Sequence, residues 1–214
     1  MKGEKMLKEQ VFKILEQEII PVIRSGSMSA NDRIWLRDTN EMWMSKEGAS
    51  LNEISEDDIL SVSINAEVIN PDTLTRLAIS VMSENPDINM LILNRTEYSR
   101  TISATGETVK PYVDDIAQII GINIKNYPHS EIKKITRLFR SRSAVSIKNE
   151  GILCAGSSPD DAAAVAIIAD KAAIIHIQGS FFERLTYIGR AESALMRFIY
   201  RRKYSKQAAI NGRG

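Results

Sequence analysis

The chain has 214 residues, of which 43% are hydrophobic and 26% are charged, so it is long enough to form a substantial core. Its net charge of +1 excludes a strong overall field that would recruit nucleic acid or an anionic membrane. Cys154 is the only cysteine, which excludes an internal disulfide and a cysteine-rich zinc site. No stretch is typical of a signal peptide or a membrane span, so a cytoplasmic protein is expected.

The first half of the chain alternates between patterns typical of helices and of short strands. An apolar stripe with helical spacing extends over residues 4–24. The alternation in RIWLRDTNEMWMS, on either side of the turn DTN, predicts a β-hairpin, and LSVSIN at 60–65 predicts a third strand. Residues 70–73 (NPDT) predict the start of a helix. The apolar run INMLIL at 88–93 is typical of a central strand.

The second half continues the alternation. Further helix and strand patterns occur in VDDIAQIIG, INIKNY and SEIKKITRLFRS. Residues 146–156 (SIKNEGILCAG) predict two buried strands around a polar turn. A serine cap at Ser158, a proline after it and two aspartates predict a long helix to about Phe182. Helical character resumes over 184–204, and residues 206–214 are predicted to be a flexible tail.

The common catalytic motifs are absent. The chain has no GxGxxG, Walker A, GxSxG or HExxH pattern. His129 and His176 are the only histidines, whereas a catalytic zinc site usually uses two or three close together, so helix packing, subunit contact or surface roles are favoured. The adjacent Asp114 and Asp115 would point about 100° apart on a helix and would not converge as an acid/base pair. The basic run YRRKYSK is more typical of a solvated or inter-subunit face than of a nucleic-acid site.

Several ordered stretches resemble the class II aldolase/adducin family. They are LRDTNEMWMSKEGASLNEISEDDIL, NPDTLTRLAISVMSENPDINMLIL, SATGETVKPYVDDIAQIIG and KNEGILCAGSSPDDAAAVA, and together they extend over residues 7–185. The resemblance implies an α/β fold: a three-layer α/β/α class II aldolase-like domain with a central, mainly antiparallel sheet. We expect it as a single domain over residues 1–205. It also implies a homo-oligomer, with a tetramer as the expected form.

The resemblance implies sugar-phosphate aldolase or epimerase chemistry, in which a zinc ion held by three histidines polarises a carbonyl group. In this chain Leu93 and Arg95 align with the histidines of the His-x-His segment, and Glu150 aligns with the third histidine. Leu74 aligns with the catalytic glutamate. Leucine cannot ligate a metal, and a guanidinium group has donors but no acceptor. We therefore expect no metal site and no cofactor.

These substitutions leave several hypotheses. In the first, the protein has lost zinc and metal-dependent chemistry and acts as a binding or assembly module, with Arg95 paired to Glu150 across the site. In the alternative, it is an active sugar-phosphate aldolase or epimerase, a carbon–carbon lyase, with Glu150 as base, Arg95 as oxyanion stabiliser and Tyr112 as acid. A third hypothesis gives the basic C-terminal helix a nucleic-acid or cytoskeletal partner.

The resemblance also implies a pocket for a small anionic or sugar ligand. Its expected ligand-binding residues are Ser45, Gly48 and Thr73. The chain differs from the family's phosphate-binding pattern here, because Glu47 and Asp72 bring carboxylates to positions where an anionic ligand would be repelled.

Overall fold

A computed structural model describes residues 6–64, 71–182 and 185–211 of the chain, with side chains up to residue 203 in the last segment. The remaining positions include the start of the predicted first helix, the end of the predicted third strand and the first residue of the predicted last helix. Those parts of the predictions lie outside the described residues.

Seven strands in the described ranges form one mixed sheet. They are β1 (Arg33–Asp38), β2 (Glu41–Ser45), β3 (Ile59–Ser63), β4 (Met90–Asn94), β5 (Asn126–Tyr127), β6 (Ala144–Ile147) and β7 (Gly151–Gly156). Their order across the sheet is β3-β2-β1-β4-β7-β6-β5, so the apolar strand β4 is central, as predicted. Every neighbouring pair is antiparallel except β5 and β6, which confirms the mainly antiparallel sheet.

Seven α-helices accompany the sheet in the part of the chain that the structure describes. They are α1 (Lys8–Ile14), α2 (Ile20–Arg24), α3 (Thr73–Glu84), α4 (Glu97–Thr105), α5 (Ile132–Leu138), α6 (Pro159–Gly179) and α7 (Arg190–Asn211). A π-helical turn over Leu15–Ile19 joins α1 to α2, so the predicted N-terminal helix is continuous. A second π-helical turn, Ile116–Ile120, takes the place of the helix predicted from VDDIAQIIG, and it ends at Gly121 as expected.

The end of α6 differs from its prediction. The helix stops at Gly179 rather than near Phe182, and α7 begins only at Arg190. The chain folds back closely here, since a Cβ atom on Gly179 would lie 2.6 Å from the Leu185 side chain. The Ile188 amide then donates to a loop carbonyl at 2.8 Å, which holds this segment extended. The last helix continues to Asn211, into the predicted tail, whose flexibility stays a prediction.

The two faces of the sheet bury separate hydrophobic clusters. Met90 and Ile92 of β4 belong to one cluster, with residues of α1, α2, α4 and α6. Leu91 and Leu93 point to the opposite face and pack with residues of α3 and α5. Helices therefore cover both faces, which confirms the three-layer α/β/α architecture.

Helix α6 is the most apolar helix described. By length and composition alone it could cross a membrane, and it is the one helix in the described part of the chain that meets this test. In the fold it packs on β4, β7 and α4, and its alanines are largely buried there. This burial is typical of the core helix of a soluble domain.

Candidate functional site

The segments aligned with the family's metal site meet at one end of the sheet, where β4 ends and β6 turns into β7. A pocket of about 290 Å³ opens there, and we call it the Arg95 cleft. Its lining residues are Asn31, Gly48, Ala49, Arg95, Arg100, Asn149 and Glu150. Three of the residues singled out from the sequence, Gly48, Arg95 and Glu150, therefore line one pocket.

The turn between β6 and β7 holds Glu150 against the end of β4. Ile147 pairs with Gly151, so three residues form the turn. Asn149 has a φ of 64° and Gly151 a φ of 142°, both in the region that L side chains rarely adopt. A Cβ atom on Gly151 would lie 2.3 Å from the Asn94 carbonyl oxygen. Glycine is therefore required for the turn to pack this closely beside Arg95.

The predicted contact between Arg95 and Glu150 is present. Arg95 Nη2 donates to Glu150 Oε2 at 3.2 Å, and Arg95 Nη1 donates to Glu47 Oε1 at 2.8 Å. The guanidinium group thus bridges two carboxylates instead of forming a fork with Glu150 alone. The Glu150 side chain is 31% exposed and that of Glu47 is 54% exposed, so water weakens both ion pairs.

A second arginine extends this network. Arg33 is only 3% exposed, and its two terminal nitrogens each donate to Asp72 at 2.9 Å. Arg33 Nη1 also lies 2.8 Å from Glu47 Oε2. Burial opposes the ionisation of Asp72, but hydrogen bonds from Arg33 and Thr75 outweigh it and hold the pKa of Asp72 well below its usual range. Two arginines and three carboxylates therefore form one chain of ion pairs.

The sequence did not predict that Arg33 pairs with Asp72 in the site. Its partner Asp72 is 39 positions away, and no local pattern links the two. Asp72 carries one signal that could have been used, because its side chain caps α3 by accepting a hydrogen bond from the Thr75 amide. A capping carboxylate at the mouth of a cleft is a natural partner for an arginine.

Asp32 lies buried beneath the Arg95 backbone. It is 2% exposed, and its carboxyl accepts hydrogen bonds from the amides of Arg95 at 2.6 Å and Ser29 at 3.2 Å. Burial raises the pKa of Asp32 to about 7, although these two hydrogen bonds partly offset the effect, and the charge of Asp170 raises the pKa further. Asp170 is itself held by the hydroxyl groups of Thr96 and Ser99. The sequence did not predict that this carboxyl group is buried beneath Arg95.

Tyr112 belongs to a different cluster. Its hydroxyl lies 2.6 Å from His176 Nδ1, and His176 Nε2 lies 2.5 Å from a carboxylate oxygen of Glu107. Burial raises the pKa of Tyr112. Its hydroxyl hydrogen-bonds to His176, and Tyr112 does not line the Arg95 cleft. The predicted packing role of His176 takes the form of a hydrogen-bonded bridge between a tyrosine and a glutamate, whereas His129 is exposed in a turn.

The two predicted hydroxyl ligands bond to the protein itself. Ser45 is 1% exposed, and its hydroxyl accepts a hydrogen bond from the Ile34 amide at 3.2 Å. The Thr73 hydroxyl accepts a hydrogen bond from the side chain of Arg76 at 3.0 Å. Neither residue lines the Arg95 cleft, and their part in ligand binding stays a prediction.

Comparison with known proteins identifies the class of protein that this fold and site define. Residues 10–177 match the model of the class II aldolase and adducin N-terminal domain, so the chain belongs to this family. Comparison with curated protein sequences finds no significant match.

The solved structures that resemble this chain share the fold at low sequence identity. An L-fuculose 1-phosphate aldolase is 17% identical, with a TM-score of 0.76, and the match covers 94% of this chain and 98% of that protein. YgbL from Klebsiella pneumoniae is 16% identical, with a TM-score of 0.74 and coverages of 90% and 100%. The L-fuculose-1-phosphate aldolase from Thermus thermophilus is 11% identical, with a TM-score of 0.68 and coverages of 83% and 100%.

The residues that align in sequence with the family's metal ligands do not fit a zinc ion. Arg95 places a fixed positive charge there, and its two carboxylate partners are already neutralised by arginine. Leu74 and Leu93 pack in the same hydrophobic cluster. Within the described ranges, no three His, Cys, Asp or Glu side chains converge as a metal site requires.

Proposed function

We propose that this chain is a class II aldolase/adducin-family protein that works without the family's zinc and sugar-phosphate lyase chemistry, as a binding or assembly module. The observation that carries the proposal is Arg95, whose guanidinium group bridges Glu47 and Glu150 where the family places metal ligands. A dication placed there would be repelled by Arg95 and would have to displace both ion pairs.

Metal analysis tests this proposal directly. The full chain is purified with zinc supplied, dialysed, and assayed for bound metal and for its melting temperature with and without zinc. We expect far less than one zinc per chain and no shift in melting temperature. The double variant Arg95→His/Glu150→His is the matched comparison, since it restores two imidazole donors and should gain zinc affinity. One zinc per wild-type chain, lost in Glu150→Gln, would contradict the proposal.

The alternative function, a rearranged aldolase or epimerase, needs an acid and a base in one cleft. Tyr112 hydrogen-bonds to His176, and no observation favours its action on a ligand next to Glu150. An assay with L-fuculose 1-phosphate, the compound named for two structural relatives, separates the two functions. We expect no cleavage. Cleavage that resists a chelator and disappears in Arg95→Ala would support the alternative instead.

The ligand that we propose for the Arg95 cleft is a small anionic or sugar molecule. Gly48 lines the cleft with open space where a Cβ atom would be, so backbone groups there are accessible. A sugar is favoured over a strong anion, because Glu47 and Glu150 already occupy the terminal nitrogens of Arg95 and their charges repel an anion. Binding of a neutral sugar that is weakened by Gly48→Val would support this, and no binding of sugars would count against it.

We also propose that the protein is a cytoplasmic homo-oligomer, with a tetramer as the expected form. Leu195, Phe198 and Ile199 lie on one side of α7 and are more than half exposed. Phe181 and Phe182 add a second exposed apolar pair near the end of α6. Light scattering on the eluted protein should give a mass several times that of one chain, and a single species at monomer mass would disprove self-association.

A further inference from the structure

A second, larger cleft lies at the other end of the sheet. It has a volume of about 550 Å³ and is formed where β7 ends and α6 begins, with α7 along one side. Gly156 lines it and pairs with Met90 at the start of β4, whereas Arg95 follows the end of the same strand. The two clefts therefore share no residue and lie at opposite ends of the central strand.

Three arginines and an apolar wall line this second cleft, which we call the arginine cleft. The arginines are Arg142, Arg197 and Arg201, and the wall includes Ile119, Phe139 and Val165. Arg197 is 9% exposed and is fixed in place, because its terminal nitrogens donate to the carbonyls of Gln118 and Ile119 and to the Ser143 hydroxyl. One cationic side of the cleft is therefore rigid before any ligand arrives.

Two of the arginines that line this cleft have side-chain nitrogens without acceptors. Arg142 Nε, Arg142 Nη1 and Arg197 Nε are buried and have no hydrogen-bond partner in the described part of the chain. Buried polar groups are paired in the great majority of cases, and leaving a charged donor unpaired is costly. Burial also lowers the pKa of both guanidinium groups, that of Arg197 to about 10. An anion beside these guanidinium groups would offset the cost of burying their charge.

The carboxylates that line the cleft do not supply the missing acceptors. Asp161 accepts hydrogen bonds from the amide and hydroxyl of Ser157, at 2.8 and 3.0 Å, and so is held at the start of α6. Asp87 is exposed at the other side of the cleft. Neither accepts a hydrogen bond from the unpaired nitrogens of Arg142 and Arg197.

We propose that the arginine cleft binds a small organic anion. Its phosphate or carboxylate group pairs with the guanidinium groups of Arg142 and Arg197 that line the cleft, because guanidinium groups recognise oxyanions by charge-assisted hydrogen bonds. Its apolar body packs against Ile119, Phe139 and Val165, so an aromatic or aliphatic anion is preferred to an inorganic one. This site is independent of the function proposed for the Arg95 cleft.

Phenyl phosphate is the probe for this site. Two control ligands each carry one of its features: inorganic phosphate carries the anionic group, and phenol carries the apolar ring. Each is titrated into the full chain by calorimetry, and the arginine Nε–H signals are followed by NMR. We expect phenyl phosphate to saturate one site, to bind more tightly than either half, and to shift the signals of Arg142 and Arg197.

Two variants distinguish binding at this specific site from attraction by the overall charge of the protein. Arg142→Met removes the donors but keeps an apolar stem, and should weaken phenyl phosphate binding about tenfold or more. It should change the melting temperature little, because it removes unpaired buried donors together with a hydrogen bond to Tyr127. Arg137→Met makes the same charge change at an exposed position outside the cleft and should leave binding unchanged.

Three outcomes would overturn the proposal. The first is no saturation up to about 10 mM phenyl phosphate in the wild-type chain. The second is equal weakening in Arg142→Met and Arg137→Met, which would mean attraction by overall charge. The third is a shift of the Arg95 signal instead of those of Arg142 and Arg197, which would place the anion in the other cleft.

Discussion

Replacing Asp32 by asparagine should remove a large pH dependence of stability. The pKa of this carboxyl group is about 7 in the folded chain, against an ordinary value of 3.8. The two values differ by about 3, and each unit corresponds to about 1.4 kcal/mol, so the wild-type chain should lose roughly 4 kcal/mol of folding free energy through this group. Because the folded pKa is raised, this stability is present below pH 4 and is lost as the pH rises to 7.

The asparagine variant matches the protonated carboxyl group in shape and in having no charge. Its amide oxygen can still accept from the Arg95 amide, while its NH₂ group faces the Ser29 amide and forgoes that hydrogen bond, at a pH-independent cost of about 1 kcal/mol. Urea unfolding of both proteins between pH 4.5 and 8 gives the two free energies. The variant should gain stability relative to wild type steadily as the pH rises.

Asp87→Asn is the control, because Asp87 is an exposed carboxylate that makes no comparable buried contacts. Its stability difference from wild type should stay nearly constant over the same range. If the difference for Asp32→Asn also changed by less than about 1 kcal/mol, Asp32 would be ionised at little cost, and the reasoning from its burial would be wrong.

Two further predictions concern the contacts that shape the Arg95 cleft. Gly151→Ala should destabilise the chain by about 2 kcal/mol or more, because it combines an unfavourable φ with a Cβ atom 2.3 Å from the Asn94 oxygen. Gly48→Ala, at a φ of 81° but in open space, should cost only about 1 kcal/mol in the same unfolding assay, and equal effects would argue against the close packing. A double-mutant cycle with Arg95→Met and Glu150→Gln measures the energy of their ion pair. The coupling energy should be about 1 kcal/mol or less, because water reaches the Glu150 carboxylate. A coupling energy of several kcal/mol would mean that the pair is desolvated.

Local patterns predicted most of the fold, because the interactions behind them are local. The alternation around the turn DTN predicted β1 and β2, and the Ser158 cap predicted the start of α6. The end of α6 was placed three residues too late, although glycine is a residue at which helices often end and the helix stops at Gly179. The strand predicted from INIKNY shrinks to Asn126–Tyr127, since it pairs only at the sheet edge.

The candidate site was less predictable, because its residues come together from distant parts of the chain. The Arg95–Glu150 contact could be predicted only because the family resemblance supplied the spatial relation between β4 and the β6–β7 turn. The ion pairs of Arg33 with Asp72 and Glu47 were not predicted, although the resemblance placed both carboxylates beside the expected ligand pocket. Asp32 contacts the amide of Arg95 across 63 positions, and its raised pKa arises from burial, which no sequence motif encodes.

Charge pairing distinguishes the two clefts and gives them different ligands. In the Arg95 cleft every terminal nitrogen of Arg95 and Arg33 meets a carboxylate, so an anion could bind either arginine only by displacing one, which leaves the exposed Arg100 as its partner. In the arginine cleft, Arg142 and Arg197 have no carboxylate partner among the described residues, so an anion displaces none. An anionic ligand should therefore prefer the arginine cleft, even though the sequence alignment places the family's metal ligands at the Arg95 cleft.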